Sequence, residues 1–310
     1  MKTTLGVLLV LAAFGIVLSL ITGPLGWKAS SQVIVYLRLP RILLAITAGA
    51  SLAVSGCILQ AVLRNPLATP YTLGISAGAG VTAGFIILSG VAMPVFLVYL
   101  SSTAGALAAS TLTWFLAGRG SRDHSNLILA GVTVNLLGAS VLLLIEYMSP
   151  ASRLVEIVRW MMGDLAVAGY TRILFLAPFL VVGMIPAMMK TGTLNQFLTG
   201  TEVAESRGVN TVRERFFLLV TAAVLAGGAV GAVGPVGFVG LIVPHTVRRL
   251  VGGDYRRLLP LSALGGAVLM IWADILSRVV VTPAELPIGV ILSLLGGPFF
   301  LYLLIRKPRL

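Results

Sequence analysis

The sequence predicts an all-α membrane protein of about ten transmembrane helices, and two observations carry that prediction. Of 310 residues, 58% are hydrophobic and 10% charged, with a mean hydropathy of +1.03; soluble domains are roughly 45–50% apolar and about 25% charged. The apolar residues also run in long stretches, near 5–22, 42–63, 71–91, 93–117, 126–148, 173–189, 216–234, 236–251, 258–281 and 288–305. A spanning helix needs about 20 such residues. Barrel strands would instead alternate over about ten residues, and only helices and closed barrels satisfy their backbone in lipid. The chain, 1–310, reads as a single transmembrane domain.

The first run follows a short basic start at Lys2, as a signal peptide would, but nine more runs follow and no small-residue cleavage site is evident. It reads as a retained helix. The second run ends at Arg64-Asn65-Pro66, and the third is punctuated by Gly74, Gly78, Gly80 and Gly84. Small residues of this kind let helix backbones approach closely in lipid. Between the fifth and sixth runs, Arg153, Glu156, Arg159, Trp160 and Asp164 suggest an amphipathic interfacial helix with an aromatic anchor.

The longest polar interruption, 191–215, holds Thr199 and Glu202 in capping-box spacing and Gly208 as a helix stop. A short surface helix is expected at about 200–207. After Gly227, Gly228 and Gly231, the segment Pro244 to Pro260 carries His245, two arginine pairs and the turn Gly252-Gly253-Asp254. Proline and basic residues thus twice end a Gly-rich helix, which hints at the two related halves common in transporters.

The net charge of +12 is a topology signal rather than a nucleic-acid footprint. Alternating spans leave Lys28, Arg38, Arg41, Arg153, Arg159, Arg172 and Arg278 outside and the other 15 of 22 basic residues inside, with both termini cytoplasmic. Cys57 is the only cysteine, so the chain forms no intrachain disulfide and no cysteine metal cluster.

Enzyme chemistry finds little material among ten acids and two histidines. His124 and His245 lack metal-ligand spacing. Asp274 is the one acid well inside a span, and charges there are costly. Arg278 lies four residues on, so an ion pair on one helical face is expected ahead of a proton relay. Gly78-Ala79-Gly80-Val81-Thr82-Ala83 matches a dinucleotide fingerprint but lacks a preceding strand, and reads as helix packing. No GxxxxGK[ST] occurs, so ATP-driven work would need a nucleotide site in another subunit.

Four blocks carry a more specific resemblance: Arg38-Leu39-Pro40-Arg41 through Ser55-Gly56, Gln60, Arg64-Asn65-Pro66-Leu67-Ala68 and Leu73-Gly74-Ile75; Trp160-Met161-Met162-Gly163; Gly234-Pro235 through Pro244-His245; and Ala273-Asp274 with Glu285-Leu286-Pro287. From about residue 36 onward the chain resembles the FecCD permeases, the membrane subunits of binding-protein-dependent importers for ferric siderophores, haem and vitamin B12. The resemblance implies a type II ABC importer permease in the bacterial plasma (inner) membrane. It implies as partners a second permease subunit in a homodimer or close heterodimer, two cytoplasmic ABC ATPases that bind ATP and Mg, an extracytoplasmic substrate-binding protein and the lipid bilayer, with no nucleic acid and no cofactor on this chain.

Residue by residue, the resemblance places a coupling helix at Glu202, Glu205 and Arg207. It assigns binding-protein docking to Arg38, Arg41 and Arg278, so that Arg278 has two competing roles. It puts a cytoplasmic gate at Asn65, Leu67, His124 and Ser125, the histidine departing from the relatives' pattern. Iron-siderophore is the leading cargo, with cobalamin or haem behind it. The alternative is an ion-gradient-driven transporter or channel that would rely on Asp274.

Overall fold

The computed structural model describes residues 2–23, 30–91, 94–118, 124–166, 169–281 and 284–305. The basic residues Lys28, Arg119, Arg122, Arg306, Lys307 and Arg309 lie outside them, as does the side chain of His124. Among the described residues there is no strand. The helices are α1 (Lys2–Ile21), α2 (Ser31–Val33), α3 (Leu39–Val62), α4 (Ile75–Ser89), α5 (Val95–Leu116), α6 (His124–Met148), α7 (Ala151–Met161), α8 (Thr171–Met189), α9 (Thr191–Thr199), α10 (Thr201–Ser206), α11 (Thr211–Val233), α12 (Val239–Val251), α13 (Tyr255–Val279) and α14 (Ile288–Ile305). A π-helical segment, Ile34–Arg38, joins α2 to α3 without a break.

Among the described residues, seven stretches are long and apolar enough to cross a bilayer: α1, α2 through α3, α5, α6, α8, α11 and α13. Two of the expected spans are shorter than the sequence suggested. The run at 71–91 forms the 15-residue α4 after a 3-10 turn at Pro70–Leu73. The run at 236–251 forms only the 13-residue α12, about 20 Å long at 1.5 Å per residue, against a hydrocarbon core of about 30 Å. Both short helices start from a left-handed residue, Gly74 (φ 71°) and Phe238 (φ 66°). A non-glycine residue there is strained. The Phe238 side chain packs where Gly296 lacks a Cβ, since a methyl at Gly296 would collide with it.

The centre of the bundle is α3, buried on nearly all sides by α8, α11, α12 and α13. Its sequence, LPRILLAITAGASLAVSGCILQAV, keeps small residues on the packing faces. A Cβ on Gly49 would collide with the carbonyl of Gly266 in α13, and one on Gly56 with Gly240 in α12. The backbones therefore touch, as dispersion-driven packing in lipid requires. By contrast α1 and α8 expose apolar faces, as lipid-facing helices must.

The segment 191–215 departs from expectation in one respect. The capping box of Thr199 and Glu202 does not form, because Thr199 ends the extra helix α9 and its hydroxyl donates to Gln196 O instead. Gly200 (φ 123°) caps α10 without a side-chain bond. The expected stop at Gly208 (φ 83°) is present.

Introducing Gly49→Leu should separate α3 from α13 and lower the thermal midpoint in detergent, overpacking in a dense core costing about 1–3 kcal/mol. Gly6→Leu, with open space at its Cβ, should leave the midpoint unchanged; equal midpoints for both variants would refute the contact.

Candidate functional site

Two polar clusters sit at opposite ends of the bundle, one around Asp274 and one around Asp254. At the first, α13 brings Asp274, only 1% exposed, against the start of α3. Arg41 Nε lies 2.6 Å from Asp274 Oδ1, and Arg278 Nη2 lies 2.8 Å from Oδ2. Arg41 Nη1 also reaches Glu285 at 2.7 Å, in the segment before α14. The carboxylate is thus bridged by two guanidiniums, the arrangement that makes a buried charge tolerable.

The ion pair expected between Asp274 and Arg278 is present, and Arg278 has a second task. Its Nη1 donates to Ser19 O (3.1 Å) and Thr22 O (3.0 Å), and its Nη2 to Ser19 Oγ (2.5 Å). Arg38, itself buried, donates to Leu20 O. The two arginines cap the carbonyl end of α1, where cations suit the helix dipole. Of the three arginines assigned to docking, Arg41 pairs with the most exposed group, Glu285 (38%). Sequence spacing offered no signal for the pairing of Arg41 with Asp274, 233 positions apart. Close by, an open cavity of about 830 Å³ beneath α7 is lined by Arg41, Tyr99, Trp160, Arg172, Glu285 and Ile288, among others.

At the other end, α9 and α10 lie across the bundle. Leu194, Phe197 and Ala204 are buried beneath them, while Glu202 and Arg207 are exposed. Glu205 accepts from Thr211 Oγ1 at 2.7 Å, so of the three residues the resemblance assigned to coupling it is the one turned to a neighbour. Arg215 Nη2 donates to Thr201 Oγ1 (2.7 Å), and its guanidinium lies over the Phe197 ring. Asn195 Nδ2 donates to Asp254 Oδ1 (2.8 Å) and its Oδ1 accepts from Tyr255 N (2.9 Å). The bond from Asn195, with that from Arg256 N, holds the Asp254 carboxyl below its ordinary range. The sequence marked Asp254 only as a turn residue and gave no role to Asn195, Arg215 or Tyr255.

The residues that the resemblance assigned to a gate are Asn65, Leu67, His124 and Ser125. Asn65 Oδ1 accepts from Leu67 N (2.9 Å) in the turn after α3, leaving Leu67 44% exposed. His124 and Ser125 start α6, with Ser125 exposed. The outward face of α6 is not lipid-like throughout: Asn126, Thr133, Ser140 and Tyr147 are exposed at seven-residue intervals beside Leu129, Leu136 and Leu143.

The chain matches the FecCD transport family over residues 3–306. It belongs to that family. It is 40% identical over 275 residues to the hemin transport system permease protein of Yersinia pestis, covering 87% of this chain and 82% of that one. It is also 40% identical over 285 residues to the cobalamin import system permease protein of Halobacterium salinarum, covering 90% of this chain and 75% of the other. A solved ABC transporter described as of the metal-chelate type, in an inward-facing conformation, superposes with a TM-score of 0.90 at 29% identity, covering 98% of this chain and 99% of that one. The protein is therefore a multi-pass membrane permease of the ABC importer class.

The two acids around Arg41 should differ in their thermal effect. Asp274→Ala leaves two guanidiniums without a buried partner, a loss of about 3–5 kcal/mol; Glu285→Ala removes a half-exposed pair worth at most about 1 kcal/mol. Thermal unfolding in detergent should rank them in that order, and a larger drop for Glu285→Ala would reverse the assignment.

Proposed function

We propose that this FecCD permease carries a bulky metal chelate into the cytoplasm, powered by ATP hydrolysis in two attached ATPase subunits and supplied by an external binding protein. The observation that supports this most directly is the likeness to import permeases along the whole bundle, from α1 to α14. In this reading α4, α12 and α14 complete ten spans, both termini face the cytoplasm, and the Asp254 end is the cytoplasmic one. The relatives are named for hemin, Fe(3+)-citrate, cobalamin and iron(3+)-hydroxamate. An iron-siderophore is the proposed cargo, with haem and cobalamin as the alternatives within the same class.

The exposed ends of the molecule fit the partners. Glu202 on α10 and Arg207 just after it present charge to an ATPase, while Glu205 bonds inward to Thr211 and sets the pose of the helix. At the opposite end Arg41 meets carboxylates of the binding protein, with Arg38 and Arg278 behind it and tied to α1. Rim charges of this kind steer and orient docking more than they add affinity. The polar stripe on α6 suits a wet axis shared with a second permease copy rather than acyl chains, and Asn65, Leu67, His124 and Ser125 would close its cytoplasmic end. An ion-gradient mechanism is not favoured: Asp274, on which it would turn, is committed to Arg41 and Arg278.

The test is ATPase activity of the permease co-purified with its ATPase in lipid, with and without binding protein loaded with ferric-siderophore, haem or cobalamin. Stimulation by one loaded protein is the expected result and names the cargo; uptake by the permease alone would overturn the reading. In the same preparation Arg41→Glu should weaken capture of the loaded binding protein at low salt; because it also takes a guanidinium from buried Asp274 and lowers the thermal midpoint, capture and basal ATP hydrolysis are compared in the folded fraction.

A further inference from the structure

If α10 receives the ATPase, its movement has to enter the bundle through the contacts that α9 and α10 make. Apolar burial of Leu194 and Phe197 holds α9 down but does not fix its direction, because dispersion and hydrophobic contact are non-directional. Direction comes from hydrogen bonds: Thr201 and Glu205 tie α10 to α11 through Arg215 and Thr211, and Asn195 ties α9 to α13. Its amide donates to Asp254 and accepts from Tyr255 N, two bonds on consecutive residues at the first turn of α13. Such a two-point grip resists rotation as well as sliding.

The grip continues inward without an apolar gap. Asp254 caps α13 by accepting from Arg256 N at 3.1 Å. Tyr255 is fully buried; its hydroxyl accepts from Arg248 Nη2 of α12 at 2.8 Å and donates to Cys57 O of α3 at 3.3 Å. One side chain therefore joins α12, α13 and the central helix. From there α3 and α13 run together, backbone against backbone at Gly49 and Gly266, to the ion pair of Arg41 and Asp274 at the far end. Tightly packed helices of this kind move as one body.

We propose that Asn195, Asp254 and Tyr255 are positioning residues that convert movement of the α9–α10 segment into rigid-body movement of α3 and α13. The proposal rests on the reading of 191–215 as the ATPase-coupling segment. It assigns no contact with ATP, cargo or ATPase to these three residues; they act through α10 on one side and α3 on the other.

The geometry provides a compensating swap. Asn195→Asp sets a carboxylate against Asp254 and breaks the grip, yet leaves Tyr255 N with an acceptor. Adding Asp254→Asn removes the repulsion between the two carboxylates and lets the amide introduced on α13 donate to the carboxylate introduced on α9, in exchange for the capping bond from Arg256 N, which falls on the same Oδ1. The full-chain permease, reconstituted in liposomes with its ATPase and binding protein, is assayed for cargo taken up per ATP hydrolysed. That ratio should fall about 2- to 30-fold in Asn195→Asp, the range found for residues that couple sites, with the thermal midpoint and ATPase binding retained, and should return in the double variant.

A purely structural role would lower the midpoint and yield without changing the ratio in the protein that remains folded. An unchanged ratio in Asn195→Asp, or a folded double variant that stays uncoupled, overturns the proposal while the importer reading stands. A wild-type permease that binds no ATPase overturns both together.

Discussion

The constraint on which the rest of the structure depends is the contact between the backbones of α3 and α13. Lipid offers no hydrophobic drive to bring two apolar helices together, so their association rests on close packing and on the few polar bonds between them. Gly49 and Gly266 make that packing possible by removing the side chains that would hold the helices apart. Around this pair α8, α11 and α12 close the core, and α1 is attached at the edge by the carbonyl caps of Arg38 and Arg278 and by Trp272, whose indole donates to Leu11 O.

The charges then follow from the packing. Asp274 lies where a lone carboxylate would be strongly destabilising, and it is held by guanidiniums from two helices whose separation is already fixed. Arg278 directs its remaining donors to α1, so one residue closes both an ion pair and a helix end. The competition between a docking role and an internal role for Arg278, open from the sequence, is weighted by this geometry toward the internal one. Arg41 differs because Glu285, its second partner, reaches solvent.

What the sequence made legible was what depends on local periodicity or on neighbours within one turn. The long apolar helices, the amphipathic α7, the pair of Asp274 with Arg278 and the stop at Gly208 all have that character. The capping box at Thr199 failed although its spacing was right, because an additional helix, α9, had already claimed the hydroxyl. The lengths of α4 and α12 were misjudged for a related reason: hydropathy counts apolar residues whether or not they are α-helical, and the stretch leading to Gly74 is a 3-10 turn while that leading to Phe238 is not helical. Contacts between residues far apart in the chain, such as Arg41 with Asp274 or Asn195 with Asp254, left no trace in spacing.

The entries to α4 and α12 are also held by side chains from neighbouring helices. Gln60 Nε2 of α3 donates to Gly240 O, a carbonyl that Pro244 four residues on has no N–H to engage, and Thr113 Oγ1 of α5 donates to Leu73 O at the end of the 3-10 turn before α4. Both short helices are thus secured by side chains from full-length neighbours. Their first turns lie against α3 and α5, while α6, packed on α4 and the turn before it, turns its other, partly polar face outward. The closely packed pair of α3 and α13 thus joins the two ends of the molecule, and α6 carries the face proposed to meet a second copy.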